Sequence, residues 1–211
     1  MLALSPDRFL RSVDASRDTL GKPPTKLFDL VEHVTALTGN APYAVIGGLA
    51  QIRWARKTHT DDIDFALASS DLSRALERVT ARNAGPEWRL PSPPDHAHEE
   101  NAVFEVAHLL HDGAVVDLIA FKATGFTDEI LATARPIPEL RNIRFIAPEL
   151  LLVTHLLRPG AHAALAAVEL IVSRRAFGGI DEDYVKRWAD LVGKREVLAR
   201  ALARADDLAV E

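Results

Sequence analysis

Between Tyr43 and Leu67 the chain reads YAVIGGLAQIRWARKTHTDDIDFAL, and few folds accommodate that run. Tyr43-Ala44-Val45-Ile46 is a short apolar stretch suited to a buried strand. Gly47 and Gly48 follow, then a helical pattern from Leu49 to about Arg56, a polar connection, and Asp62-Ile63-Asp64-Phe65-Ala66-Leu67. Alternate residues of a strand share a face, so Asp62 and Asp64 point one way while Ile63 and Phe65 point into the core. Two adjacent carboxylates repel unless a cation lies between them. A divalent ion held by carboxylates and substrate phosphates, Mg²⁺ above all, meets that need. The glycine pair at a helix start adds backbone N–H groups and a positive dipole end for an anion. The run therefore predicts a site for phosphate and metal.

The rest of the composition narrows the setting. With 211 residues, 48% apolar and 26% charged, the chain has the make-up of a folded globular protein rather than a disordered one. It has no cysteine, which excludes disulfides, thiolate metal sites and a cysteine nucleophile. No apolar run reaches membrane-span length, and MLALSPDRFL lacks a signal-peptide pattern, so a cytoplasmic location without membrane contact is the expectation. A net charge of −5 argues against a nucleic-acid-coating protein while leaving room for a local basic patch.

Read in order, Ser5-Pro6-Asp7 opens a helix to Thr19 or Leu20, and Thr25 to Thr38 is a second, amphipathic one. After the aspartate strand, Ser70 or Asp71 caps a helix ending near Gly85. Pro86 to Glu100, with four prolines, is predicted to be mostly loop. Asn101–Leu110 and Ala114–Phe121 are strand-like and joined through Asp112-Gly113, a strong hairpin signal. Asp117 lies in the second of these, where burying a carboxylate is costly without a partner. An edge position facing water is the bland explanation, and a third carboxylate beside Asp62 and Asp64 the functional one, which the pairing of the first two favours. From Ala147 onward the pattern is helical throughout. The expected fold is α/β (α+β): a small mixed, largely antiparallel sheet flanked by helices, with a helical C-terminal portion. Residues 1–146 are expected to form the core domain and 147–211 the helical one.

Other groups carry weaker signals. His96 and His98 lack further ligands at a zinc spacing, and His108 alternates with apolar residues as a packed or cleft-facing side chain. Arg174-Arg175 and Lys186-Arg187 read first as solvated helix faces and second as a groove for an acidic substrate. Trp54, Trp88 and Trp188 fit the core better than a base-stacking platform. His155, inside LLLVTHLL, fits a hydrogen-bonded core position.

Gly47-Gly48, thirteen residues, Asp62-Ile63-Asp64 and a later strand Asp117 resemble the nucleotidyltransferase superfamily with the DNA polymerase β-like fold. The Gly-Gly form, the approach Thr60-x-Asp62-Ile63-Asp64, and the segments IRFIAPELLLVTHLL and IDEDYVKRWADLVGKREVL are similar to bacterial AbiEii-type nucleotidyltransferases. The resemblance runs from about Tyr43 to the C-terminus. It implies the nucleotidyltransferase fold and a Mg²⁺-dependent, ATP- or other NTP-using enzyme. Asp62, Asp64 and Asp117 are then both catalytic and ligands of two Mg²⁺ ions. Gly47 and Gly48 cradle the phosphates, and Arg56 or Lys57 neutralises pyrophosphate. Relatives place an arginine where Thr58 stands and a lysine where Val153-Thr154-His155 runs.

Many members of that group are the toxin of a toxin–antitoxin pair, which implies a tRNA acceptor and an antitoxin or regulator protein as partner. Two further readings stay open: transfer to a small molecule of the aminoglycoside type, and a non-catalytic nucleotide-binding or protein-interaction module. The intact aspartates favour an enzyme.

Overall fold

The computed structural model describes residues 27–55, 60 and 62–209. The expected helix from Ser5, and the cations Arg56 and Lys57, lie outside the described residues. Helix α1 (Leu27–Thr38) buries Leu27, Leu30, Val31, Val34 and Leu37, a spacing that puts one apolar stripe against the sheet. Strand β1 (Ala44–Val45) leads into α2 (Gly47–Trp54), and β2 (Asp62–Ala66) into α3 (Ser69–Thr80). The hairpin forms as its turn residues dictate: β5 (Phe104–His111) and β6 (Ala114–Phe121) join at Asp112-Gly113, both with positive φ.

Pro86 to Glu100 departs from the expected loop. It contains β3 (Trp88–Arg89), a 3₁₀ turn (Pro94–Ala97) and β4 (His98–Glu100). The prolines sit outside the paired positions, and both strands lie along the edge of β5, where short pairing suffices. Strand β5 starts at Phe104 rather than Asn101, because the Asn101 carboxamide accepts from the N–H groups of Val103 and Phe104 at 2.8 and 3.1 Å and makes a turn. Helix α3 starts at Ser69, one residue before the predicted caps, with no side chain capping it.

Helix α4 (Phe126–Thr133), β7 (Arg135–Ile137) and β8 (Ile143–Phe145) follow. The remaining elements are all helical: α5 (Pro148–Leu157), α6 (Ala161–Phe177), α7 (Glu182–Leu191) and α8 (Arg195–Ala209). The sheet runs β3-β5-β6-β2-β1-β8-β7 with β4 also on β5. Only β2–β6 and β1–β8 are parallel, so the fold is mixed α/β with a largely antiparallel sheet, as expected. No described helix is long and apolar enough to cross a membrane.

Helices α1 and α3 cover one face of the sheet. His33 of α1 meets His111 of β5 there, ring nitrogens 2.5 Å apart, and Ser69 at the start of α3 donates to Glu105. Ile63, Phe65, Val116 and Leu118, all sealed from solvent, fill neighbouring positions of β2 and β6 on that side. The other face stays partly open, and there Asp62, Asp64, His108 and Asp117 gather. Ile63 therefore anchors the strand between its two aspartates. Ile63→Ala is expected to lower unfolding free energy by about 2–5 kcal/mol, read from denaturant melts.

Candidate active site

Register assembles the site. In the parallel pair β2–β6, Asp64 stands opposite Asp117, and in the antiparallel pair β5–β6, Asp117 stands opposite His108. One row of side chains thus crosses three strands. Asp62 joins it from two residues up β2, and ligand oxygens of Asp62, Asp64 and Asp117 all lie within 4.8 Å of one another. Among the described residues this is the one such group of three or more metal-ligating side chains. His96 and His98 join no comparable group.

Asp64 is the most confined of the three. It is 2% exposed, and its Oδ1 has no hydrogen-bond partner. Its Oδ2 accepts from the Gly48 N–H at 3.3 Å. Burial first, then the charges of Asp62 and Asp117, push its pKa up to about 7, against smaller opposing effects of Arg158 and the Gly48 N–H. An orphaned, buried carboxylate oxygen facing two further carboxylates fits a hard divalent cation such as Mg²⁺, which takes oxygen ligands.

Gly47 explains itself by the same contact. Its φ is +58°, and a Cβ there would lie 1.8 Å from Asp64 Oδ2. Only glycine permits both the turn from β1 into α2 and the approach to the carboxylate. The backbone of Gly48 is thus directed at Asp64.

Each remaining site residue has a defined neighbour. Thr60, buried, donates to the Asp62 carbonyl and to Asp62 Oδ1 at 3.2 and 3.0 Å, fixing that side chain. His108 Nδ1 lies 2.8 Å from Asp117 Oδ1, and this hydrogen bond, partly opposed by burial, raises the His108 pKa. His155 is buried and bonded through Nε2 to Gln51 Oε1 at 2.8 Å, while Gln51 Nε2 donates to the Ala166 carbonyl at 3.0 Å. Ile46, Phe104, Val106, Ile119, Phe121 and Thr154 add walls to a cleft of about 100 Å³ over the carboxylates. Arg158, at the end of α5, also lines it.

Sequence reasoning missed His108 as the partner of Asp117, although a two-residue turn at Asp112-Gly113 sets that register. It also missed Arg158. The tryptophans pack: Trp54 donates to the Ile146 carbonyl at 2.9 Å beneath Arg53 and Arg174, Trp88 abuts His111, and Trp188 abuts Phe126. The basic pairs singled out earlier are largely engaged. Arg175 bonds Glu182 and Asp206, Lys186 lies near Asp183, and Arg187 stacks on Tyr184.

No protein-family model matches the chain, and no curated protein matches it. Among solved structures the chain is similar to the crystal structure of ANT(2")-Ia in complex with adenylyl-2"-tobramycin. The identity is 15% and the TM-score 0.43, over 85% of this chain and 99% of that one.

Two measurements check the electrostatics. A carboxyl whose pKa stands at about 7 when folded, against 3.8 ordinarily, favours the folded state in its protonated form. That contribution is complete below pH 3.8 and is lost as pH rises through 7. The raised His108 pKa acts in the same direction. In chelator, thermal stability is therefore expected to fall between pH 5 and pH 8. Asp64→Asn is expected to flatten that fall and raise the melting temperature at pH 8 by a few degrees, on the order of 1–2 kcal/mol. Gly47→Ala is expected to destabilise by about 2 kcal/mol or more in calorimetry, since it adds both a strained φ and a clash.

Proposed function

We propose that the chain is a nucleotidyltransferase that moves a nucleoside monophosphate from an NTP to an acceptor hydroxyl. The observation that carries this reading is the cluster of Asp62, Asp64 and Asp117 on two adjacent strands, with Asp64 Oδ1 buried and unpartnered. Three carboxylates that repel in the folded state are a standing cost, and phosphoryl-group chemistry is a use for it. Asp62, Asp64 and Asp117 would hold Mg²⁺, two ions in the fullest form. Bound there, Mg²⁺ supplies charge neutralisation of the triphosphate and activation of the attacking hydroxyl.

The chain's own residues divide the remaining work. Thr60 holds Asp62 in one orientation, and the Gly48 N–H holds Asp64. The acceptor oxygen attacks the α-phosphorus, the bond to the bridging oxygen breaks, and pyrophosphate leaves. Asp117, hydrogen-bonded to His108, would take the hydroxyl proton. Arg158 beside the cleft, and Arg56 or Lys57 in sequence, are the cations for the departing phosphates. Gly47 and Gly48, at the start of α2 beside the cluster, would cradle the phosphates. The roles of toxin, tRNA acceptor and antitoxin partner rest on the sequence resemblance, and the division into a core of residues 1–146 and a helical part of residues 147–211 rests on the change to an all-helical pattern near residue 147.

Purified protein incubated with labelled NTPs, Mg²⁺ and either total tRNA or an aminoglycoside is expected to label one acceptor class. Asp62→Ala or Asp64→Ala is expected to lower the transfer rate by at least about 10²-fold, with folding checked by circular dichroism. Transfer that survives either substitution at the wild-type rate overturns the reading. Metal-independent nucleotide binding with no turnover on either acceptor identifies a non-catalytic module instead.

A further inference from the structure

A second cavity, of about 580 Å³, opens beside the cleft between α5, α6 and α8 and shares His155 and Arg158 with it. Its lining holds four cations, Arg158, Lys194, Arg200 and Arg204, and no carboxylate. None of the four forms an ion pair with a described residue, so their charges are left for a ligand. This concentration stands out in a chain of net charge −5.

Arg200 and Arg204 are one helical turn apart on α8, flanking the buried Ala201, so two like charges are held side by side. That spacing destabilises a helix by a few tenths of a kcal/mol unless something negative answers it. The start of α6 adds to the same cavity. Gly160 and Ala161 line it, and the N-terminus of this 17-residue helix has no side-chain cap, so its first N–H groups are left for an anion. Leu156, Leu165, Val168 and Val197 form an apolar floor.

We infer that this cavity is a binding site for a ligand carrying two or more phosphate groups, with Arg158 facing both that ligand and the carboxylate cluster. Guanidinium groups bind phosphate through paired N–H donors, and several cations at fixed spacing select a polyanion over a single charge. The phosphates belong either to a free polyphosphate tail or to a nucleic-acid strand. Apart from His155 the lining holds no aromatic ring, so recognition is of phosphate rather than base. A polycationic acceptor is disfavoured at this wall by the same charges. The site stands on its own geometry; naming its occupant as the acceptor rests on the transferase reading.

Binding is measured in chelator, where no transfer occurs, with two probes: tripolyphosphate by calorimetry and a fluorescent single-stranded 12-mer oligoribonucleotide by anisotropy. Arg200→Glu/Arg204→Glu is expected to weaken the bound probe about tenfold or more at low salt and to lower the salt dependence. Both positions are exposed, and an unchanged melting temperature certifies the fold. Arg74→Glu, on α3 and outside the cavity lining, is expected to leave binding intact. Tripolyphosphate binding as tightly as the 12-mer assigns the site to a phosphate tail, and binding of the 12-mer alone assigns it to a strand; both outcomes support it. Failure of both probes to bind, or affinity unmoved by the double reversal, overturns it. Charge-dependent binding without transfer to any acceptor leaves the site standing and removes the transferase reading. Asp62-dependent transfer with unmoved affinity does the opposite.

Discussion

Everything around the cleft answers to one carboxylate that the fold has taken out of water. Asp64 occupies the middle of β2, between β1 and β6, with one oxygen held weakly by the Gly48 N–H and the other held by nothing. A buried charge with so little compensation is expensive. The protein meets the cost by letting Asp64 keep a proton near neutral pH and by packing the reverse side of the same strand with Ile63 and Phe65. Stability comes from one face of β2, and the open face spends part of it. Gly47 is the other half of this arrangement, because the carboxylate fits only where the preceding turn carries no side chain.

Register then makes the site from strands that are far apart in sequence. Asp64, Asp117 and His108 align only while β2–β6 and β5–β6 keep their present pairing. A one-residue slip of β6 would turn Asp117 to the side covered by α1 and α3, against the sealed side chains of Ile63 and Phe65. The apolar alternation of β6 and the tight Asp112-Gly113 turn guard against that slip. His108 contributes orientation, since its bond to one oxygen of Asp117 fixes that side chain.

The sequence discloses these features unevenly, for physical reasons. Asp62 and Asp64 could be read because strand periodicity alone puts them on one face, and Asp117 because a charged residue in VVDLI demands an explanation. The hairpin was legible from its turn. His108 was within reach through that same turn, yet its apolar neighbours made it read as packing. Strands β3 and β4 were hidden by prolines, since the prolines that break a central strand leave room for two- or three-residue edge pairs. Arg158, Lys194, Arg200 and Arg204 were invisible for another reason. They come from the end of α5, from the residue just before α8 and from α8 itself, and only the packing of α5, α6 and α8 shows that they share a cavity. Arg174-Arg175 drew attention as an adjacent pair, but adjacency in a helix separates side chains by about 100° and says little about a common surface.

That packing depends on a polar bridge inside an otherwise apolar junction. Gln51 of α2 reaches His155 of α5 with its carbonyl oxygen and the Ala166 carbonyl of α6 with its amide. A buried polar network holds helices in one arrangement only if its members are satisfied, and here one side chain ties three helices together. Helix α2 begins at the glycine turn that clasps Asp64, and α5 ends at Arg158. The distance between the carboxylate cluster and the cations is therefore set by Gln51 and His155 together with the β1–β8 pairing from which α2 and α5 start. Replacing His155 with lysine would put a flexible cation where this chain has a fixed hydrogen bond. The positive charge of this wall stands one turn further along the helix, at Arg158, while His155, bonded to Gln51, helps hold the two halves of the cleft in register.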